Sequence, residues 1–193
     1  MKSVAIKGQL REKTGKGAAR TLRSEGNALG VIYGSNGEAH FYAPLLAFRD
    51  IVYTADFKLA NITIGDKSYN CILKDVQFDP ISDKLIHADF LELNDDRRVI
   101  AELPLKLVGQ AAGVKAGGRL EQKLKTLRVR TYPKHLQEAI ELDITALELN
   151  GNMRVEDVKN ENYEFMNPAR QPIASIVMTR ALRQAESEAA KGK

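Results

Sequence analysis

The chain has 193 residues with a net charge of +4, and its 44% hydrophobic content is enough to bury a sizeable core in one large or two small domains. Aromatic residues make up 6% of the chain and Trp is absent, which argues against a binder that stacks successive bases on aromatic platforms. The single cysteine, Cys71, excludes an internal disulfide and a zinc cluster, and without a long apolar segment we expect a cytoplasmic protein that has no membrane partner and no cofactor.

Positive charge is concentrated at the front of the chain. The segment from Lys2 to Arg23 contains seven basic residues and a single acidic residue, Glu12, so it alone carries a net charge of +6. Its basic residues are Lys2, Lys7, Arg11, Lys13, Lys16, Arg20 and Arg23. Such a cluster repels itself unless a polyanion neutralises it, which favours nucleic acid as the partner. The alternative is a solvated charged loop.

The first half of the chain predicts short strands around two helices. Residue alternation and turn signals, including Asn36-Gly37, predict strands at Ser3–Leu10, Gly30–Tyr33, His40–Tyr42, Asn61–Ile64, Lys67–Phe78 and Lys84–Leu93. After a glycine-containing loop at Arg11–Gly17, helical spacing predicts helices at Ala18–Glu25 and Pro44–Ala55. This pattern is typical of a small closed or nearly closed β-barrel.

The second half also predicts mainly β structure. The charged run at 94–98 is interpreted as a domain boundary, although a turn within one domain would have the same composition. Strands are predicted at Val99–Val108, Arg119–Thr131, Ala139–Ile144 and Pro172–Met178, with a glycine-rich loop at Gly109–Gly118. The resulting domains are 1–94, 95–183 and an exposed helical or disordered tail at 184–193.

The basic cluster is the first candidate site. Lys13 and Lys16 on the glycine loop are expected to contact phosphates, while Arg11, Arg20 and Arg23 can present forked donors to phosphates or base edges. Arg20 and Arg23 are three residues apart on the predicted helix and therefore share a face.

The second candidate site is the predicted strand Lys84–Leu93. Alternation places Leu85, His87, Asp89 and Leu91 on one side of this strand, so that His87 and Asp89 are neighbours. The pair can be a structural surface pair, a polar contact to a ligand, or part of a catalytic site. Catalysis would need a nucleophile or a metal that no motif supplies, whereas Asp89 could accept hydrogen bonds from base amino groups or 2′-hydroxyls.

Several motifs together resemble one known family. The segments R-E-K-T-G-K-G-A-A-R-T-L-R-S-E-G, V-I-Y-G and K-D-V-Q-F-D-P-I-S-D-K-L-I-H-A-D-F-L-E-L are similar to the bacterial large-subunit ribosomal protein number twenty-five. The later segments L-K-L-V-G-Q-A-A-G-V-K-A-G-G-R-L-E-Q and E-L-D-I-T-A-L-E-L-N resemble the carboxy-terminal domain of its long form, the general stress protein CTC family.

The resemblance implies a non-enzymatic constituent of the large ribosomal subunit that acts in translation. Its amino-terminal barrel would bind loop E of 5S rRNA, and its further partners would be the subunit and neighbouring ribosomal proteins, with no small-molecule substrate. The family's RNA-contacting positions fall on Arg11, Arg23, Tyr33, His87 and Asp89, with Lys16 and Arg20 in the same basic segment. An RNA-binding stress adaptor that acts off the ribosome, and an enzyme that uses His87 and Asp89, are the competing hypotheses.

Overall fold

The computed structural model describes residues 1–34, 37–180, 182 and 184. The chain forms two compact units, which we call the first unit (Met1–Ala101 with Thr131–Glu138) and the second unit (Glu102–Arg130 with the chain from Ala139 onward). The mainly β fold predicted from the sequence is confirmed. The domain limits at 94 and 183 stay predictions, and the predicted tail at 184–193 lies outside the described residues except for Gln184.

Six strands of the first unit close into a barrel. They are β1 (Ser3–Leu10), β2 (Asn27–Gly34), β3 (Gly37–Pro44), β4 (Leu59–Ile64), β5 (Lys67–Phe78) and β6 (Leu85–Glu92). Their order around the barrel is β1-β3-β2-β6-β5-β4, and a parallel pairing of β1 with β4 closes the ring. The predicted amino-terminal barrel is therefore confirmed, with a β2–β3 hairpin longer than the sequence indicated.

Three phenylalanines fill the interior of the barrel. The rings of Phe41, Phe48 and Phe90 have centroids 5.9 to 6.2 Å apart, and all three side chains are fully buried. Phe41 lies over Gly8 and Gly30 on the two neighbouring strands, where an added Cβ would come within 2.6 and 2.5 Å of the ring. Glycine at these two positions thus makes room for the central aromatic ring of the core.

Both predicted helices differ in detail from the sequence expectation. Helix α1 (Lys16–Ser24) begins two residues early, because Gly15 adopts a φ of 123° that L side chains disfavour and its carbonyl accepts the Ala19 N–H at 3.1 Å. The helix predicted over Pro44–Ala55 is a 3-10 turn at Leu45–Phe48 followed by a single-turn helix α2 (Arg49–Val52). No helix among the described residues is long and apolar enough to span a membrane.

The rest of the chain forms two small sheets. It contains β7 (Val99–Val108), helix α3 (Ala112–Lys115), β8 (Arg119–Gln122), β9 (Thr126–Thr131), β10 (Ile140–Asp143), β11 (Asn152–Arg154), β12 (Glu164–Phe165) and β13 (Pro172–Val177). The sheet orders are β10-β7-β9-β12 and β11-β13-β8. The single strand predicted over Arg119–Thr131 is wrong, because β8 and β9 belong to different sheets, and the predicted glycine loop contains α3.

Candidate nucleic-acid interface

The outer surfaces of β2 and β6 form one continuous face. Ile32, Ala88 and Phe90 point into the barrel and are buried, so the residues that alternate with them point outward. Val31 pairs with Asp89, and Tyr33 pairs with Leu91, in the parallel register of these two strands. We call this surface the strand face, and it consists of Val31, Tyr33, His87, Asp89 and Leu91.

His87 and Asp89 contact each other on the strand face, as strand alternation predicts. The His87 Nδ1 and Asp89 Oδ1 atoms are 2.6 Å apart, and the side chains keep 22% and 32% of their surface exposed. Because a carboxylate only accepts hydrogen bonds, Nδ1 is the donor of this contact, and in the tautomer that carries its proton only on Nδ1 the Nε2 atom is an acceptor. The pair therefore presents acceptors, which suits a partner surface rich in donors.

One expectation about this strand is wrong. Leu85 was predicted to share the outward side with His87, but it is 3% exposed and packs in the barrel core. The register between β5 and β6 shifts there, since Gln77 pairs with His87 while Phe78 pairs with Leu85. This bulge places an extra residue, Ile86, between the two and reverses the side of the preceding residue.

Tyr33 lies on the same face in an acidic environment. Partial burial raises the pKa of the Tyr33 phenol above its ordinary value of 10.0, and the negative charges of Asp89 and Asp75 raise it further. Asp75 pairs directly with Asp89 across β5 and β6. Tyr33 therefore remains a neutral hydrogen-bond donor at neutral pH, beside acceptors on β6.

Helix α1 packs on the outside of the barrel next to the strand face. Leu29 points outward on β2 by alternation with Ile32, yet it is only 1% exposed, because α1 packs against this strand. Leu29 pairs with His87, so the helix lies beside the His87 end of the face. The Arg23 side chain makes the connection, since its Nε donates to the Ile86 carbonyl oxygen at 3.3 Å.

The cations of α1 share one exposed side of the helix, which is adjacent to the side on which Ala19 is buried. Lys16, Arg20 and Arg23 are spaced by four and three residues and are exposed, so they form a single stripe that we call the basic stripe. The sequence predicted this shared face for Arg20 and Arg23. The earlier start of the helix adds Lys16 to it.

Arg11 and Lys13 lie at the other edge of the strand face. The Arg11 N–H donates to the His40 carbonyl at 2.9 Å, and His40 pairs with Val31, which pairs with Asp89. Arg11 is thus three strand spacings from Asp89, or about 14 Å. Its guanidinium donates to the carbonyls of Lys13 and Gly15 at 3.1 and 3.5 Å, while the Lys13 side chain is exposed.

His40 is a residue that the sequence reasoning missed. It is half-buried on the outer surface of β3, and the strand pairings align it with Arg11 on one side and with Val31 and Asp89 on the other. The sequence signal for its placement is Asn36-Gly37, which predicts a β-hairpin at this point. Since Gly34 pairs with Gly37, counting three residues back along β2 and three forward along β3 pairs Val31 with His40.

The strand face and the basic stripe present hydrogen-bonding and charged groups to a partner. Within the described residues, no group of three or more His, Cys, Asp or Glu side chains is placed to hold a metal ion. Cys71 is fully buried in the barrel, and burial together with the charge of Glu92 raises its pKa to about 12. This thiol is therefore a core side chain and a poor nucleophile.

Two family models match the chain in succession. The Ribosomal L25p family matches residues 6–90. The domain described as Ribosomal protein TL5, C-terminal domain, matches residues 98–180. The first match contains the basic stripe and all of the strand face except Leu91, and the second contains the sheets of the second unit.

Curated relatives match this chain over nearly its whole length. A protein of Cytophaga hutchinsonii is 39% identical over 191 residues, which cover 99% of this chain and 100% of the relative. A protein of Amoebophilus asiaticus is 38% identical over 194 residues, covering 100% of this chain and 99% of the relative. One from Porphyromonas gingivalis is 35% identical over 187 residues, with 96% and 97% covered, and all three bear the name Large ribosomal subunit protein bL25.

Proposed function

The chain belongs to the ribosomal L25p family in its long form, and we propose that it docks on 5S rRNA as a constituent of the large ribosomal subunit in the bacterial cytoplasm. Members of this family are structural ribosomal components, so the enzyme hypothesis for His87 and Asp89 is set aside. The RNA surface comprises the basic stripe, the strand face and the loop that holds Arg11 and Lys13.

The observation that carries the proposal is the hydrogen bond from Arg23 to the Ile86 carbonyl at 3.3 Å. It joins the basic stripe to the strand that bears His87 and Asp89, so one rigid partner can contact both surfaces at once. Affinity then comes from phosphate contacts of Arg11, Lys13, Lys16, Arg20 and Arg23.

Specificity comes from the strand face. A-form RNA exposes 2′-hydroxyls and base edges in a wide, shallow minor groove that a flat sheet surface can approach. Asp89 and the Nε2 of His87 accept hydrogen bonds from hydroxyls or base amino groups, and the phenol of Tyr33 donates one. An internal loop such as loop E of 5S rRNA widens the groove and gives these short side chains access.

Filter binding to a transcribed bacterial 5S rRNA over a range of salt concentrations tests the docking. If about five phosphates are neutralised, the logarithm of the affinity falls against the logarithm of the salt concentration with a slope of roughly −4. Sequencing of the RNA crosslinked to the protein should recover loop E. A flat salt response, or crosslinks spread over the whole RNA, would contradict the proposal.

Sedimentation separates a ribosomal constituent from an adaptor that acts off the ribosome. In a sucrose gradient of cell lysate, the protein is expected to migrate with the large subunit, and the His87→Ala variant to be depleted from that fraction. If the wild-type protein stays at the top of the gradient, the adaptor hypothesis replaces this one.

A further inference from the structure

A cluster of exposed apolar side chains lies at one end of the barrel. Leu46 is 80% exposed, Tyr53 57%, Phe78 40% and Ile81 94%, and we call these four residues the apolar patch. The rings of Tyr53 and Phe78 contact each other, with centroids 5.9 Å apart and planes inclined by 56°. Scattered apolar residues on a surface are ordinary, but a cluster around an aromatic pair marks a surface that binds something.

Hydrogen bonds hold the apolar patch in place. The Tyr53 hydroxyl donates to the Asp83 carbonyl at 3.3 Å. Because Tyr53 directly follows α2, this bond connects the end of α2 to the turn between β5 and β6. Within that turn, the Asp79 carboxylate accepts the Ile81 N–H at 2.9 Å, and the Asp83 N–H donates to the Asp79 carbonyl at 2.9 Å. Ile81 is therefore presented to solvent by an ordered turn.

The patch continues the proposed RNA surface at the carboxyl end of α1. The Leu45 N–H donates to the carbonyl of Gly26, two residues after the helix ends, at 3.2 Å. On the other side, Arg23 binds the carbonyl of Ile86, which is two residues beyond Lys84. The nine residues of α1 span about 14 Å, so an RNA strand that follows the basic stripe arrives at the patch within a few nucleotides.

Charge distinguishes between the partners that could cover the patch. A shallow concavity beside it is lined by Leu45, Leu46, Arg49, Tyr53, Asp83 and Lys84. Arg49 and Lys84 are cations and Asp83 is an anion, so the lining carries a net charge of +1. An apolar floor with a cationic rim complements a nucleotide, whose base presents a flat apolar surface and whose phosphate is an anion.

We propose that the apolar patch is a second RNA contact, at which an unpaired nucleotide of the bound RNA stacks on Tyr53 while Arg49 and Lys84 bind its flanking phosphates. This inference rests on the proposed function, because it assigns a further segment of the same RNA. Leu46 and Ile81 pack against the edges of the stacked base, and Phe78 supports the Tyr53 ring from the side.

A tryptophan placed in the patch tests the stacking directly. The chain contains no Trp, so Tyr53→Trp introduces a single fluorophore at the proposed platform. Titration with transcribed 5S rRNA is expected to quench this fluorescence with the same midpoint as filter binding. Met166→Trp, at a position 45% exposed in the second unit, is the control and should not be quenched.

Affinity measurements complete the test. Tyr53→Ala is expected to weaken binding to 5S rRNA by about tenfold, the usual effect of losing one base–aromatic stack. Tyr53→Phe keeps the ring and loses only the hydrogen bond to Asp83, so its loss should be smaller. Thermal unfolding of each variant checks that the barrel remains intact.

The outcomes also separate this inference from the proposed function. If Tyr53→Ala binds 5S rRNA like wild type while His87→Ala is weakened, the second contact is wrong and the docking proposal stands. If Tyr53→Ala is lost from the large subunit but keeps its affinity for free RNA, a protein neighbour covers the patch, which also overturns the inference. If the wild-type protein does not bind 5S rRNA, both proposals fail.

Discussion

The two units of this chain hold their arginines in different ways. In the first unit, Arg11 and Arg23 donate to backbone carbonyls, which are neutral acceptors. In the second unit, arginines lie against glutamates, in the pairs Arg128–Glu102 at 2.6 Å, Arg154–Glu156 at 3.4 Å and Arg130–Glu164 at 3.6 Å. Both units contain many cations, but these two sets of arginines contact acceptors of different charge.

On the proposed function, this difference predicts where a polyanion binds. A carbonyl orients a guanidinium without cancelling its charge, so the full charge remains available to a phosphate. A carboxylate at 2.6 to 3.6 Å neutralises the cation locally, and a phosphate would have to displace it. Cation content alone therefore does not predict an RNA surface, and we expect the acceptor that each cation binds to predict it better.

The largest effect is expected from removing the basic stripe. The triple variant Lys16→Gln, Arg20→Gln, Arg23→Gln keeps helix propensity and eliminates three positive charges. At about 1 kcal/mol per contact, we expect a loss of roughly 100-fold in affinity for 5S rRNA, with a salt slope less steep by about 3. Filter binding at several salt concentrations measures both quantities.

A matched triple variant in the second unit sharpens the comparison. Arg128→Gln, Arg130→Gln, Arg154→Gln removes the same number of charges, but each of these is paired with a glutamate. We expect affinity and salt slope close to those of wild type. Equal losses in the two triple variants would show that total charge, and not its local pairing, controls binding.

A smaller effect is expected from Asp89→Asn. The substitution keeps the size of the side chain but replaces one acceptor oxygen by a donor and weakens the contact that orients His87. Loss of one polar contact predicts a decrease of about 1 to 2 kcal/mol in binding free energy, with an unchanged salt slope because no phosphate contact is lost.

The control for Asp89→Asn is Asp66→Asn, at an exposed position between β4 and β5. It also removes one negative charge from the first unit, but Asp66 lies between β4 and β5, whereas the strand face is formed by β2 and β6. A gain in affinity for Asp89→Asn would mean that this carboxylate only repels phosphate and accepts no hydrogen bond from the RNA.

Local patterns account for much of the candidate site. Alternation along β6 was sufficient to bring His87 and Asp89 together, and helical spacing was sufficient to align Arg20 with Arg23. Both relations depend only on the periodicity of one element, which its own residues determine.

The rest of the site depends on contacts between distant residues. The burial of Leu85 follows from a register shift between two strands, and the row that joins Arg11 to His40 follows from how β1 meets β3. The split of Arg119–Thr131 into two sheets likewise depends on which partner strand each half finds. No window of neighbouring residues contains this information.

The smallest effect concerns the titration of two tyrosines, one in each unit. Burial raises the pKa of Tyr163 in the second unit, whereas Tyr33 is raised by burial and also by Asp89 and Asp75. Asp89→Asn removes one of these charges, so it should lower the pKa of Tyr33 towards 10.0 and leave that of Tyr163 unchanged. Carbon-13 NMR of the tyrosine Cζ atoms across alkaline pH resolves the two residues.

The same titration has a consequence for stability. The folded chain holds the Tyr33 proton to higher pH than the unfolded chain does, so the stability linked to this phenol is fully present below pH 10.0 and is lost as the pH rises through the raised pKa. As the pH rises above 10.0, the free energy of unfolding should therefore decrease less in the Asp89→Asn variant than in the wild-type protein. If the pKa of Tyr33 is identical in the two proteins, the strand face does not hold its phenol and carboxylates close enough together to act on a single RNA groove.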